Sequence, residues 1–264
     1  MFLLKKRLSL VLILCLLITV AFTPSAVQAE QGVQVIETAT YPIQNLSVYE
    51  MNATFLLPVG TVIVMYPDSM NVTTGPGAES MVICNQVRTV VMAGIGTTSQ
   101  GTAAFAKHVA QATGQPVAGI VTGYGDWTAY NEYIQGHYVG RAANTNGTYY
   151  YEVASEKLAY LYNLGARPLK LIGHSKGNLD LANTLYKLWW EGKMYMYQGV
   201  RVITFGCGVK VPVGVGIFQQ YMGTADYIGM DNTTSYFNLL WLAGKEHTIN
   251  PAYVNYLPTE NYVN

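Results

Sequence analysis

From residue 88 onward the chain alternates short apolar runs with stretches whose apolar residues recur every three to four positions. Thr89–Met92, Pro116–Val121, Leu169–Ile172 and Val200–Phe205 are compact, mostly apolar segments, the pattern of strands covered on both faces, and Phe218–Met222 reads as a shorter fifth. Between them, Thr102–Thr113 carries Ala103, Phe105, Ala106, Val109 and Ala110 at helical spacing. Tyr149–Leu164 places Val153, Leu158, Leu161 and Tyr162 on one face and stops at Gly165, and Gly177–Trp190 reads as a further helix. Strands alternating with helices predict an α/β fold: a mostly parallel central sheet with helices on both faces. In such sheets ligands sit beyond the carboxyl ends of the strands. Residues 30–80 read differently, being rich in Thr, Val and Tyr and punctuated by Pro42, Pro58 and Pro67. Thr54–Leu57 and Val59–Tyr66 read as strands there, a β-rich N-terminal segment of a single domain spanning 30–264.

The first 29 residues have another pattern. Lys5, Lys6 and Arg7 precede an almost unbroken apolar run from Leu8 to Phe22. Thr23 and Pro24 break the run, and Val27-Gln28-Ala29 offers small residues before a cut. This reads as a secretory signal peptide, shorter than the ~20 apolar residues of a spanning helix, and it predicts a secreted, extracellular protein. Export permits a disulfide between the two remaining cysteines, Cys84 and Cys207. Their number and separation exclude a thiolate zinc site.

Composition narrows the function classes. Half of the 264 residues are apolar and 11% are charged, which argues against disorder. Fifteen basic residues balance fifteen acidic ones, so no global field draws in nucleic acid, and no basic-aromatic motif reads a base.

The sharpest chemical signal is Gly173-His174-Ser175-Lys176-Gly177, directly after the strand Leu169–Ile172 and directly before a helix. A turn this tight crowds the serine backbone, and glycines two positions either side remove side chains that would collide. The hydroxyl is then presented at a helix N-terminus that favours developing negative charge. A serine needs a base. His174 lies within the turn and would pack beneath it, His108 lies in a helix, and His137 lies in a Tyr-rich loop. His247 follows the last predicted strand and alone has the right order for Ser…Asp…His. Asp226, in the turn after Phe218–Met222, is the orienting acid, with Asp231 as its rival; Asp180 is accounted for as a first-turn helix residue. The oxyanion needs two backbone N–H donors. Lys176 supplies one by position, and the small-residue loop Ala93–Thr98 supplies the other from Ile95, with Gly96 as the alternative. That loop lacks the Gly-Lys-Ser/Thr ending of a phosphate cradle. Lys176 is expected to face solvent rather than pair with Ser175 as a base, since adjacent residues at a helix start point in different directions.

Four stretches in order now carry a likeness: Ala93-Gly94-Ile95-Gly96, Gly173–Gly177, Val202-Ile203-Thr204-Phe205-Gly206, and Gly223-Thr224-Ala225-Asp226 followed by His247. Over residues 88–250 the chain resembles the α/β-hydrolase fold superfamily, and most of all its lipase class 3-type members. The resemblance implies Ser175 as nucleophile, Asp226 as acid, His247 as base, and Ile95 with Lys176 as oxyanion donors. The chain departs from many small lipases in having Ala93-Gly94 at the oxyanion loop and Lys176 in the elbow.

This implies a serine hydrolase that cleaves a small-molecule or lipid ester through an acyl-enzyme, with transient contact with a lipid surface and neither cofactor nor metal. Amide or peptide hydrolysis at the same triad, and a non-catalytic binding module on the same fold, are the alternatives. Two segments would flank the strand ends. Gly123–Tyr151 carries Tyr124, Trp127, Tyr130, Tyr133, Tyr138, Tyr149, Tyr150 and Tyr151, and reads either as a lid or as a Tyr-rich surface. Val209–Ile217 is a second apolar loop.

Overall fold

The structure, a computed structural model, describes residues 39–123 and 138–264. The expected signal peptide, His137, and the aromatic residues Tyr124, Trp127, Tyr130 and Tyr133 lie outside the described residues. The strands are β1 (Val62–Met65), β2 (Val72–Thr74), β3 (Thr89–Met92), β4 (Val117–Ile120), β5 (Lys170–His174), β6 (Arg201–Phe205), β7 (Ile217–Gly223) and β8 (Leu239–Leu242). The helices are α1 (Val48–Ala53), α2 (Gly75–Ile83), α3 (Ser99–Thr113), α4 (Gly140–Asn146), α5 (Val153–Asn163), α6 (Lys176–Trp190) and α7 (Tyr227–Asn232).

The eight strands form one sheet in the order β2-β1-β4-β3-β5-β6-β7-β8. β1 is antiparallel to both of its neighbours, and every pair from β4 to β8 is parallel. This is the α/β architecture expected from the sequence. The central strands are buried on both faces because successive side chains feed two cores. Val90, Met92, Leu171 and Val202 join one cluster with Leu158, Leu161 and Leu185 of α5 and α6. Val91, Ile172 and Ile203 join the other with Phe105 and Val109 of α3.

The topology places the site. From β3 the chain crosses to β4 on one side, then returns to β5 on the other. The crevice between the carboxyl ends of β3 and β5 is therefore a topological switch point, where open α/β sheets bind ligands.

Residues 39–83 differ from the β-rich expectation. Thr54–Leu57 is not a strand: Thr54 closes α1, and Leu56 turns the chain at a φ of 52°. Val59 and Gly60 form a turn, so the predicted strand Val59–Tyr66 shortens to β1. α1 forms because Ser47 and Glu50 make a reciprocal capping box. The predicted loop Gly123–Tyr151 contains α4, and the apolar stretch Val209–Ile217 buries Val209 while leaving Val213 and Ile217 exposed.

Candidate active site

Ser175 sits between β5 and α6 with φ 55° and ψ −127°. A non-glycine residue at positive φ carries strain of about 1–3 kcal/mol, held only by its surroundings. Here the surroundings are specific. The Ser175 N–H donates to Phe205 C=O at 2.9 Å, and the Asn178 amide donates to the carbonyls of Phe205 and Cys207 at 2.8 and 3.0 Å. The Cys207 thiol donates to Ser175 C=O at 3.2 Å. The flanking glycines are required: a Cβ on Gly177 would lie 2.2 Å from Met92 O, and one on Gly173 would lie 2.3 Å from Asn178 Oδ1. The start of α6 thus passes directly over the end of β3. A Cβ on Gly94 would lie 3.5 Å from Ser175 Oγ, so the loop after β3 faces the hydroxyl.

His247 and Asp226 come together from the loops after β8 and β7. His247 Nδ1 lies 2.8 and 2.9 Å from the two Asp226 carboxylate oxygens. Because the carboxylate only accepts, Nδ1 carries a proton, and in the neutral imidazole the lone pair is on Nε2. Asp226 is buried as the N-cap of α7, where it also accepts the Gly229 N–H at 2.6 Å. Asp231 is 68% exposed and lies 3.8 Å from an Arg141 guanidinium nitrogen. Close packing assembles the pair. A Cβ on Gly223 would strike Lys245 O at 1.9 Å, and one on Gly229 would lie 2.6 Å from Asp226 Oδ2. Gly206, at φ +78°, leaves room for both imidazoles: a Cβ there would lie 3.0 Å from His247 Cε1 and 3.1 Å from His174 Nε2.

The His247 ring centroid is 4.8 Å from that of His174, the residue before Ser175. Among the described residues no hydrogen bond joins Ser175 Oγ to His247. Such bonds are commonly long without substrate and tighten in the complex.

Ile95, in the turn after β3, has an N–H that meets no backbone acceptor among the described residues. The neighbouring Gly94 N–H is already committed to the Tyr41 hydroxyl at 2.6 Å.

Lys176 departs from expectation. Its side chain is 4% exposed rather than solvent-facing. The first turn of α6 packs against α5, and the ammonium is held by Asp180 at 2.8 Å and Glu152 at 3.4 Å. Asp180 is accordingly a buried ion-pair partner, not only a first-turn residue; Tyr150 also donates to it, at 3.4 Å. Cys84 and Cys207 are both free. Cys84 is exposed at the end of α2, while Cys207 is buried beside the elbow, where burial pushes its thiol up to about 12.

His108 pairs with Glu260 at 3.1 Å, away from Ser175. His174 is fully buried, and burial, aided by His247, holds its pKa well below the ordinary histidine value of 6.5, against an opposing hydrogen bond to the His247 backbone. The folded state therefore keeps His174 neutral where the unfolded chain would take up a proton. Its contribution to stability is complete above pH 6.5 and is lost as the pH falls from there toward the folded value. Urea unfolding should show a midpoint that falls below pH 6.5, by up to about 1.4 kcal/mol per pH unit in stability. His174→Gln should flatten that slope between pH 6.5 and 5; an equal slope in the variant would assign it elsewhere.

No protein-family model and no curated protein matches the chain, so the resemblance to lipase class 3 gains no support there. Among solved structures, an arylesterase matches at 10% identity, covering 95% of this chain and 93% of that one, with a TM-score of 0.43. An ester-hydrolase from the metagenome of Lake Arreo, complexed with a derivative of bipyridine phosphonate, matches at 12% identity, covering 91% and 89%, with a TM-score of 0.37. Likenesses this distant leave the activity to be argued from the site.

Proposed function

We propose that the chain is a serine hydrolase that cleaves carboxylic esters by acyl transfer. The observation that carries this reading is the strained serine at the switch point, with a histidine–carboxylate pair packed against the residue before it. Ser175 Oγ attacks the ester carbonyl while His247 Nε2 takes its proton. Asp226 holds the Nδ1–H and stabilises the imidazolium. The N–H groups of Ile95 and Lys176 receive the oxyanion. The imidazolium then gives its proton to the leaving alcohol, and the acyl-enzyme forms. Water, deprotonated by His247, attacks that acyl group and releases the acid and the free serine.

The substrate is a lipid-like ester, and the chain acts outside the cell after loss of residues 1–29, in transient contact with a lipid surface. In support of the lipid-like ester and the surface contact, Tyr227, Ile228, Tyr236, Phe237, Leu240 and Trp241 are large apolar side chains exposed on α7, on β8 and between them, the region that bears Asp226 and leads to His247. Each buried CH₂ of an acyl chain contributes ~0.8 kcal/mol. For p-nitrophenyl esters, kcat/KM should rise well over tenfold from two to about eight acyl carbons. A series that falls with chain length from its start would exclude the lipid-like substrate, and no turnover of any ester would exclude the hydrolase.

A further inference from the structure

Resting on the hydrolase reading, one feature of the site lies outside the triad: a buried chain of hydrogen bonds that enters from the N-terminal segment. The Gly94 N–H donates to the Tyr41 hydroxyl at 2.6 Å. That hydroxyl lies 2.8 Å from His174 Nδ1, and His174 Nε2 lies 2.7 Å from the carbonyl oxygen of His247. The directions follow from chemistry. A carbonyl only accepts, so Nε2 carries the His174 proton. A neutral imidazole then has a bare Nδ1, which must accept from Tyr41. The order is therefore Gly94 N–H to Tyr41 O–H to His174, and His174 N–H to His247 C=O.

The chain joins the loop that would receive the oxyanion, the residue before the nucleophile, and the backbone of the base. Tyr41 meets the His174 ring edge-on, with centroids 5.5 Å apart at 88°, and both are buried. The same short segment holds the residues after His247. The Ile249 N–H donates to Thr40 C=O at 3.0 Å, the Thr248 hydroxyl donates to Ala39 C=O, and the Asn250 amide donates to Tyr41 C=O at 3.2 Å.

We infer that Tyr41 and His174 are positioning residues: Tyr41 fixes the tautomer of His174, and His174 in turn fixes the backbone of His247 and thereby the aim of its Nε2. Without the Tyr41 hydroxyl, the Nδ1–H tautomer of His174 becomes accessible. Its Nε2 lone pair would then face the lone pairs of the His247 carbonyl, and the base would shift. The titratable groups facing His174 in this arrangement are Tyr41 from the N-terminal segment and His247, with Asp226 behind it, and the Phe105 ring of α3 packs edge-on against it.

The test combines a spectrum with a kinetic split. In ¹⁵N-histidine-labelled full chain, long-range ¹H–¹⁵N spectra should show opposite tautomers at the two rings: Nε2–H at His174 and Nδ1–H at His247. The ring signals are assigned with His174→Gln and His247→Gln. In Tyr41→Phe the Nδ1–H form of His174 should grow in. In that variant, kcat for p-nitrophenyl acetate per fluorophosphonate-titrated site should fall fivefold or more, with KM within twofold. An Nδ1–H tautomer at His174 in the unmutated protein would overturn the inference, as would a kcat loss smaller than fivefold or a KM that rises with it. If Tyr41→Phe does not fold, the spectrum of the unmutated protein decides. The spectrum is read equally well in Ser175→Ala, so failure of the triad and failure of this relay are separate results.

Discussion

Ser175→Ala should lower kcat/KM for p-nitrophenyl acetate by ~10⁴-fold or more, while the variant folds as the parent does. The expectation follows from the role of the hydroxyl. Removing the nucleophile leaves only the oxyanion donors and binding, which retain a small fraction of the acceleration. His247→Ala should lose about as much, because members of a triad act as a unit and neither is useful alone. Folding should survive the serine change for a physical reason. Ser175 at φ 55° is strained, and its backbone, not its hydroxyl, makes the bonds to Phe205 and Cys207 that hold the elbow. Steady-state kinetics and a thermal melt of both variants check this. Turnover within tenfold of the parent in Ser175→Ala would remove the serine from the chemistry.

The second large effect separates the two candidate acids. Asp226→Asn should cut kcat by ~10²–10⁴-fold, because an amide facing Nδ1 can favour the wrong tautomer and cannot stabilise the imidazolium. The same change should cost some stability, since Asp226 also caps α7 through Gly229 N–H. Asp231→Asn should leave kcat within twofold, its carboxylate being exposed near Arg141. Parallel measurement of kcat for the two variants decides between them, and a larger loss in Asp231→Asn would reverse the assignment.

The strands and helices that frame the site were legible where burial writes a strong pattern. Thr89–Met92 matches β3, and the helices predicted at Thr102–Thr113 and Gly177–Trp190 correspond to α3 and α6 to within a few residues at their starts. Other elements carry weak or contrary signals. α2 opens on Gly75-Pro76-Gly77, two glycines of poor helix propensity around a proline suited only to a first turn. β8, Leu-Leu-Trp-Leu, lacks β-branched residues and lies half exposed at the sheet edge. The capping box Ser47–Glu50 starts α1 inside Thr- and Val-rich surroundings that read as strand. Within the site, the elbow could be read because strand, glycine spacing and helix are contiguous. The burial of Lys176 could have been suspected from Asp180 four residues on, although Glu152 is distant in sequence. Tyr41 had no local signal at all: it stands 133 residues from His174, and only the fold brings the two together.

If His247 activates Ser175 as a nucleophile, a fluorophosphonate forms a covalent adduct at that serine. Intact-mass analysis of the purified chain after reaction with a fluorophosphonate, followed by peptide mapping, should give one phosphonyl group per chain, on Ser175. Ser175→Ala should take up none and His247→Ala should react far more slowly. An unmodified chain, or an adduct mapped to any other residue and retained in Ser175→Ala, would show that Ser175 is not the nucleophile.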